Sequence, residues 1–261
     1  MAAPGGPAAW GRVLVIVPTY NEIDSLERVV AAVRAAAPSV DVLVVDDASP
    51  DGTGALADRL ASDDDRVEVL HRPGKQGLAH AYGAGFARAR ELGYDIVVEM
   101  DADGSHPAPT LPAMLDRLVS GGDRLGLVIG SRWVPGGSVE NWPLYRRVLS
   151  QAGNHYARVM LRLPVRDSTA GFRAYRAAVL NQVTTPPVDS QGYCFQIDLA
   201  LRVHDRGFGI AEVPIVFSER EAGVSKMSKA IVVEAMLRVT VWGVKRWFSR
   251  ASAPSRQSAI R

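Results

Sequence analysis

At 261 residues, 47% hydrophobic and 22% charged, the chain can bury one large core, and its composition excludes a disordered protein. Thirty Lys and Arg against 28 Asp and Glu leave a net charge of +2, which is not the cation excess of a nucleic-acid binder, so no nucleic-acid partner is expected. The lone cysteine, Cys194, excludes an intramolecular disulfide and fits a small buried thiol in a reducing cytosol.

Residues 1–11 (MAAPGGPAAWG) carry Pro and Gly where a signal peptide needs a continuous apolar stretch, so a flexible leader is expected. From residue 12 the chain alternates β-branched runs with helical patterns. RVLVIV precedes a helix at 24–36, DVLVVD one at 50–61, RVEVL one at 77–92, and YDIVVEM one at 107–120; LGLVIG follows. Runs apolar on both faces imply strands covered on both sides, hence an α/β fold with a mostly parallel Rossmann-like sheet. Ligands of such sheets bind beyond the carboxyl ends of the strands.

The residues at those ends are PTYNE (18–22), DDASPDGT (46–53), HRPGKQG (71–77), DADGSH (101–106) and GSRW (130–133). Carboxylates alternating with bases along one edge suit an anionic ligand held through a hard divalent cation. Each stretch also has a plainer reading. Ser49-Pro50 makes a helix start, PGKQG makes a turn, and Asp101 with Asp103 make an acidic cap before Pro107. Eighteen Asp give about one Asp-x-Asp by chance, and 63–65 supplies a second example in a polar connector. Placement after a central strand favours Asp101 and Asp103 as metal ligands. Lys75 is followed by Gln76, so PGKQG is not a Gly-Lys-Ser/Thr phosphate loop.

In order, VPTYNE, VVDDASPDGT, GKQGLAHAYGAGF, MDADGSHP, GSRW, DSTAGFRAYR and GYCFQIDL resemble the motifs of family 2 inverting glycosyltransferases. More narrowly, the chain is similar, from residue 13 to about 229, to the catalytic domain of polyprenol-phosphate mannosyltransferases, the dolichol-phosphate mannose synthases and their bacterial counterparts. The resemblance implies a type-A glycosyltransferase fold over 12–225, with a nucleotide-sugar half (12–131) and an acceptor half (132–225). Pro18, Tyr20, Glu22, Asp46, Asp47, Asp101, Ala102, Asp103, Arg220 and Lys226 would line the nucleotide-sugar site. Asp101 and Asp103 would hold Mg²⁺ or Mn²⁺. Ser105 stands where this branch often has a metal-binding Gln, and a hydroxyl is a weaker and shorter ligand.

The implied reaction moves mannose from GDP-mannose to a polyprenyl monophosphate with inversion. UDP-glucose is the rival donor, and metal-dependent nucleotidyl transfer or a non-enzymatic nucleotide-binding scaffold are the rival readings. A phosphate acceptor is already anionic near neutral pH, since its second pKa is about 6, so it needs cationic positioning rather than a strong base. Asp103, Arg132, Arg220 and Lys226 are the expected catalytic groups; Arg132, Arg146 and Ser150 would hold the acceptor phosphate, and Arg173 is a further candidate cation. Arg146 and Ser150, four apart, share a helix face. Gln196 and Asp198 are candidates for the sugar or the neighbouring loops.

AIVVEAMLRVTVWGVKRWFSR is interrupted by Glu234, Arg238 and Lys245 and does not read as a membrane span. Residues 226–250 are expected to form an amphipathic helix, either interfacial or packed on the core, and 251–261 a disordered tail. A polyprenyl substrate then implies peripheral attachment at the cytoplasmic face of a membrane, directly or through a separate membrane subunit.

Overall fold

The computed structural model describes residues 9–186, 188, 190, 192–218 and 229–251, the side chains of 193, 229–233 and 249–251 excepted. Arg220, Lys226 and residues 252–261 lie outside the described residues. Trp10 departs from the expected leader: it is buried and its indole N–H donates to Asp116 at 2.7 Å. Burial of so large a ring anchors the chain three residues before the first strand.

The elements run β1 (Val13–Thr19), α1 (Leu26–Ala36), β2 (Asp41–Asp46), α2 (Thr53–Asp63), β3 (Val67–His71), α3 (Leu78–Glu91), β4 (Ile96–Glu99), α4 (Leu111–Ser120), β5 (Leu125–Ser131), β6 (Ser138–Val139), α5 (Leu144–Leu161), β7 (Arg173–Arg176), α6 (Ala177–Val183), α7 (Tyr193–Asp205), β8 (Gly209–Pro214), β9 (Val216–Phe217) and α8 (Lys229–Ala251). Seven strands form one sheet in the order β3-β2-β1-β4-β7-β5-β8. Only β7 is antiparallel within it, against both β4 and β5. The short β6 and β9 pair separately in parallel.

Alternation along β1 divides the core. Leu14 and Ile16 join the cluster that includes Tyr82, Phe86, Phe195 and Leu199, while Val13, Val15 and Val17 join the one that includes Leu26, Val30, Met114 and Leu118. Each such side chain, fully removed from water, contributes about 1.5–3 kcal/mol. The chain order reverses between β1 and β4, and both strands deliver their carboxyl ends to the same edge.

Two helix starts differ from expectation. Helix α2 begins at Thr53, because Gly52 at φ +93° turns the chain and Asp51 accepts from the Thr53 N–H and hydroxyl; Ser49 donates instead to Asp46. Before α4, residues 108–110 form a single tight turn, and Pro112 then sits inside the first turn of the helix.

Candidate active site

The strand ends assemble a polar floor. Asp46 at the end of β2 is buried, and its carboxylate accepts from Thr19 Oγ1 (3.1 Å), Ser49 Oγ (2.6 Å) and the Ser49 N–H (3.2 Å). Its neighbour Asp47 is paired with Arg72, whose other amino group donates to Gln76 at 2.9 Å. Lys75 lies 4.0 Å above the Tyr20 ring, an arrangement that holds a cation beside an aromatic wall. Pro18 is half-buried in β1, and the Glu22 carboxylate accepts from Ser25 at the start of α1. Thus Tyr20, Asp46, Asp47 and Lys75 gather at the carboxyl ends of β1, β2 and β3, with Asp46 engaged by Thr19 of β1 and by Ser49 of its own loop.

Beyond β4 the main chain turns through Gly104 at φ +77°. Neither aspartate caps α4, whose N-terminal residue Thr110 makes no side-chain cap. Asp103 closes its own turn: its Oδ1 accepts from the Ser105 N–H (3.0 Å) and hydroxyl (2.6 Å). Ser105 is buried, and its hydroxyl proton is directed to Asp103, so it braces that carboxylate. Ala102, between the two aspartates, is buried in the core. The Asp101 side chain is 30% exposed; Tyr82 Oη donates to its Oδ1 at 3.4 Å and the His106 Nε2 stands 3.7 Å from Oδ2. Burial first, and then Asp101, push the Tyr82 hydroxyl well above its ordinary pKa and keep it a donor. Two carboxylates braced at a sheet edge are a hard-oxygen donor set, which fits Mg²⁺ or Mn²⁺ rather than a soft metal. By contrast Asp64 of the other Asp-x-Asp is held by Arg34 at 2.7 Å on the far side of α2, and this pair lowers its pKa.

Beneath the motif lies a buried group that sequence reasoning passed over. Glu99, the last residue of β4, is fully buried; its Oε2 accepts from Gln196 Nε2 at 3.0 Å, while Oε1 has no hydrogen-bond partner among the described residues. Desolvation raises its pKa to about 8, against the lowering effect of Arg173. Between the ordinary 4.5 and about 8 the native protein holds a proton that the unfolded chain has released, so stability falls as pH rises through this window. Metal-free protein is expected to lose roughly 3–5 kcal/mol of stability between pH 5 and 9 from this group, and Glu99→Gln should flatten that slope. Denaturant unfolding at both pH values tests it, and equal slopes in the two proteins would refute the assignment.

Arg173 is corrected by its surroundings. Fully buried, it donates to the carbonyls of Ser168, Ala170 and Gln196 (2.7 Å each) and to the Tyr175 hydroxyl (3.3 Å), so it braces the core and does not reach a phosphate. Gln196 is likewise turned toward Glu99, and Asp198 accepts from Ser190 and Arg202.

The acceptor-side residues do converge. Arg132, Arg146 and Ser150 line one cleft of about 90 Å³ together with Trp142, Asn154, Thr169 and, from α8, Met236 and Val239. Arg132 is held by Asp167 through Nε and Nη2, both at 2.7 Å, and by Thr169 at 2.9 Å. Its guanidinium is surrounded by Trp133, Trp142 and Phe217 at 5.5–5.7 Å. Arg146 stacks on Trp142 at 4.1 Å, in contrast to its exposed neighbour Arg147. Asp167 opens the DSTAGFR motif, but its partner is 35 residues away, and only the fold shows the pairing.

The floor is now specific enough to compare. The glycosyl transferase family 2 model matches residues 14–184. The chain belongs to glycosyl transferase family 2. It is therefore a glycosyltransferase. Over 241 residues (92% of this chain, 90% of the relative) it is 54% identical to the polyprenol monophosphomannose synthase of Mycolicibacterium smegmatis. It is 53% identical over 237 residues (90% and 96%) to the undecaprenyl-phosphate mannosyltransferase of Micrococcus luteus. The dolichol-phosphate mannosyltransferase of Pyrococcus furiosus is 34% identical over 232 residues, 87% of this chain and 62% of that one. A mannosyltransferase from Pyrobaculum calidifontis, solved with GDP-Man and Mn²⁺, superposes with a TM-score of 0.60 at 22% identity, over 97% of this chain and 68% of that one. The glucosyl-3-phosphoglycerate synthase of Mycobacterium tuberculosis with UDP gives 0.65 at 22% identity, over 92% and 87%. These two share the fold, the type-A glycosyltransferase architecture.

Proposed function

We propose that this enzyme transfers mannose from GDP-mannose to the phosphate of a polyprenyl monophosphate, with inversion, giving polyprenyl-phosphate mannose and GDP. The observation that carries the acceptor is the cleft between α5 and α8, in which Arg132, Arg146 and Ser150 converge and whose rim residues Leu149 and Met236 are exposed. Two relatives above 50% identity that bear polyprenol- and undecaprenyl-phosphate mannosyltransferase names support the same sugar and acceptor.

In this reading an acceptor phosphate oxygen attacks the anomeric carbon from the face opposite the nucleotide. The bond from that carbon to the departing diphosphate oxygen breaks, and the electron pair leaves with GDP. Arg146, backed by the Arg132–Asp167 pair, holds one anion while it approaches another. Asp101 and Asp103 would hold Mg²⁺ or Mn²⁺, which when bound neutralises charge gathering on the departing diphosphate. Tyr20, Asp47 and Lys75 at the strand ends would meet the nucleoside, and Arg220 with Lys226 would add cations to the donor side.

No helix among the described residues is long and apolar enough to cross a membrane. Helix α8 packs Val239 and Gly243 against its neighbours, a Cβ at Gly243 lying 2.9 Å from the Met160 carbonyl oxygen, yet leaves Leu237, Val241, Trp247 and Phe248 exposed. Packing on the core, one of the two expectations for this helix, accounts for one face, and the other face is left exposed and apolar. The exposed face supports peripheral attachment at the cytoplasmic face of the membrane, directly or beside a membrane subunit.

Purified protein incubated with Mn²⁺ or Mg²⁺, a short polyprenyl phosphate, and either GDP-mannose or UDP-glucose should yield a mannolipid and GDP from the first donor alone. Product masses decide it. A glucolipid would overturn the donor, and released pyrophosphate would move the enzyme to nucleotidyl transfer.

A further inference from the structure

His106 ends the metal-motif turn and is buried, its side chain only 2% exposed. Its Nδ1 accepts the main-chain N–H of Asp101 at 3.0 Å. A ring nitrogen that accepts carries no proton, so the proton of the neutral ring sits on Nε2. That nitrogen stands 3.7 Å from Asp101 Oδ2, on the opposite side of the carboxylate from Tyr82. The ring cannot swing away: it stacks on Phe172 at 5.3 Å and 12° and meets the edge of Phe217 at 5.9 Å and 66°. Gly171 lies alongside, where a Cβ would make ordinary contact with His106 Cε1 (3.4 Å) and Asp101 Oδ2 (3.6 Å).

We propose that His106 is the positioning residue of the metal motif, fixing Asp101 through its main-chain N–H and presenting an N–H toward its carboxylate. The inference rests on the metal-dependent reading above. A carboxylate free to rotate must be ordered when the cation binds, whereas one already flanked by Tyr82 and His106 has been ordered during folding. Partners of ligating carboxylates typically change metal affinity by about 10–100-fold when removed. A ring kept only for packing would be replaceable by phenylalanine without any effect on the metal.

The test is Mn²⁺ uptake in the presence of GDP, followed by loss of the free-ion electron paramagnetic resonance signal. His106→Phe retains the ring stack and loses both nitrogens; it should weaken Mn²⁺ binding by about 10–100-fold with metal-free GDP binding and the thermal midpoint little changed. His106→Asn keeps an acceptor near the Nδ1 position and should recover part of the loss. Mn²⁺ affinity within twofold of wild type in His106→Phe would overturn the proposal. Should that variant not fold, wild-type affinity in His106→Ala, which also lacks both nitrogens, would do the same. Wild-type protein that takes up no Mn²⁺, or takes it up equally well after Asp103→Ala, would overturn the metal reading itself.

Discussion

Alanine at Asp103 is expected to lower sugar transfer by about 10³-fold, and alanine at both Asp101 and Asp103 to abolish measurable turnover. Asp103 is 9% exposed and closes a turn through Ser105, so the fold should survive with only local loosening. Asp65→Ala provides the control, since it removes an exposed outer carboxylate of the chain's other Asp-x-Asp and leaves the Asp64 pair with Arg34 in place. Rates under saturating Mn²⁺, with circular dichroism on each variant, make the comparison. Turnover by the double variant, or wild-type turnover undiminished in excess chelator, would remove these aspartates from the chemistry.

That the two Asp-x-Asp copies were separable beforehand shows where sequence carries structural information. Val/Ile runs specify the central strands, and a central strand delivers whatever follows it to the ligand edge, so Asp101 and Asp103 were placed by the neighbours of the motif. Side-chain commitments were not legible in this way. Arg173 and Arg132 look alike in sequence, yet one lies on β7 with its donors spent on three carbonyls and the other reaches the cleft paired with Asp167. The difference arises from pairings between residues far apart in the chain. Glu99 was missed for a related reason. Nothing within YDIVVEM marks its glutamate as buried, and the groups that surround it, Arg173 on β7 and Gln196 on α7, lie far along the chain. His106 carries no sequence signal either, because its contacts with Asp101, Phe172 and Phe217 depend on how the turn closes against distant segments.

Arg146 and the exposed apolar face should separate in their effects on the acceptor. Ser150 and Met236 share the cleft, Met160 meets Gly243, and Arg162 stacks on Trp247, so α5 and α8 run side by side in the same direction. The cleft therefore lies along a two-helix surface bearing Leu144, Tyr145 and Leu237, each more than 60% exposed. A charge-assisted contact to phosphate contributes about 1.5–3 kcal/mol, so Arg146→Ala should raise the acceptor KM by about 10- to 100-fold, for a water-soluble short-chain acceptor and a vesicle-embedded one alike. Combining Leu144→Ser with Leu237→Ser removes side chains that each contribute about 1.5–3 kcal/mol when fully inserted in an apolar phase. That variant should lose at least about 10-fold on vesicles and almost nothing on the short-chain acceptor. Steady-state kinetics on the two acceptors distinguish the roles. An unchanged acceptor KM in Arg146→Ala would reduce that arginine to a packing partner of Trp142, and equal losses on both acceptors in the double serine variant would show that the apolar face supports the fold rather than meeting lipid.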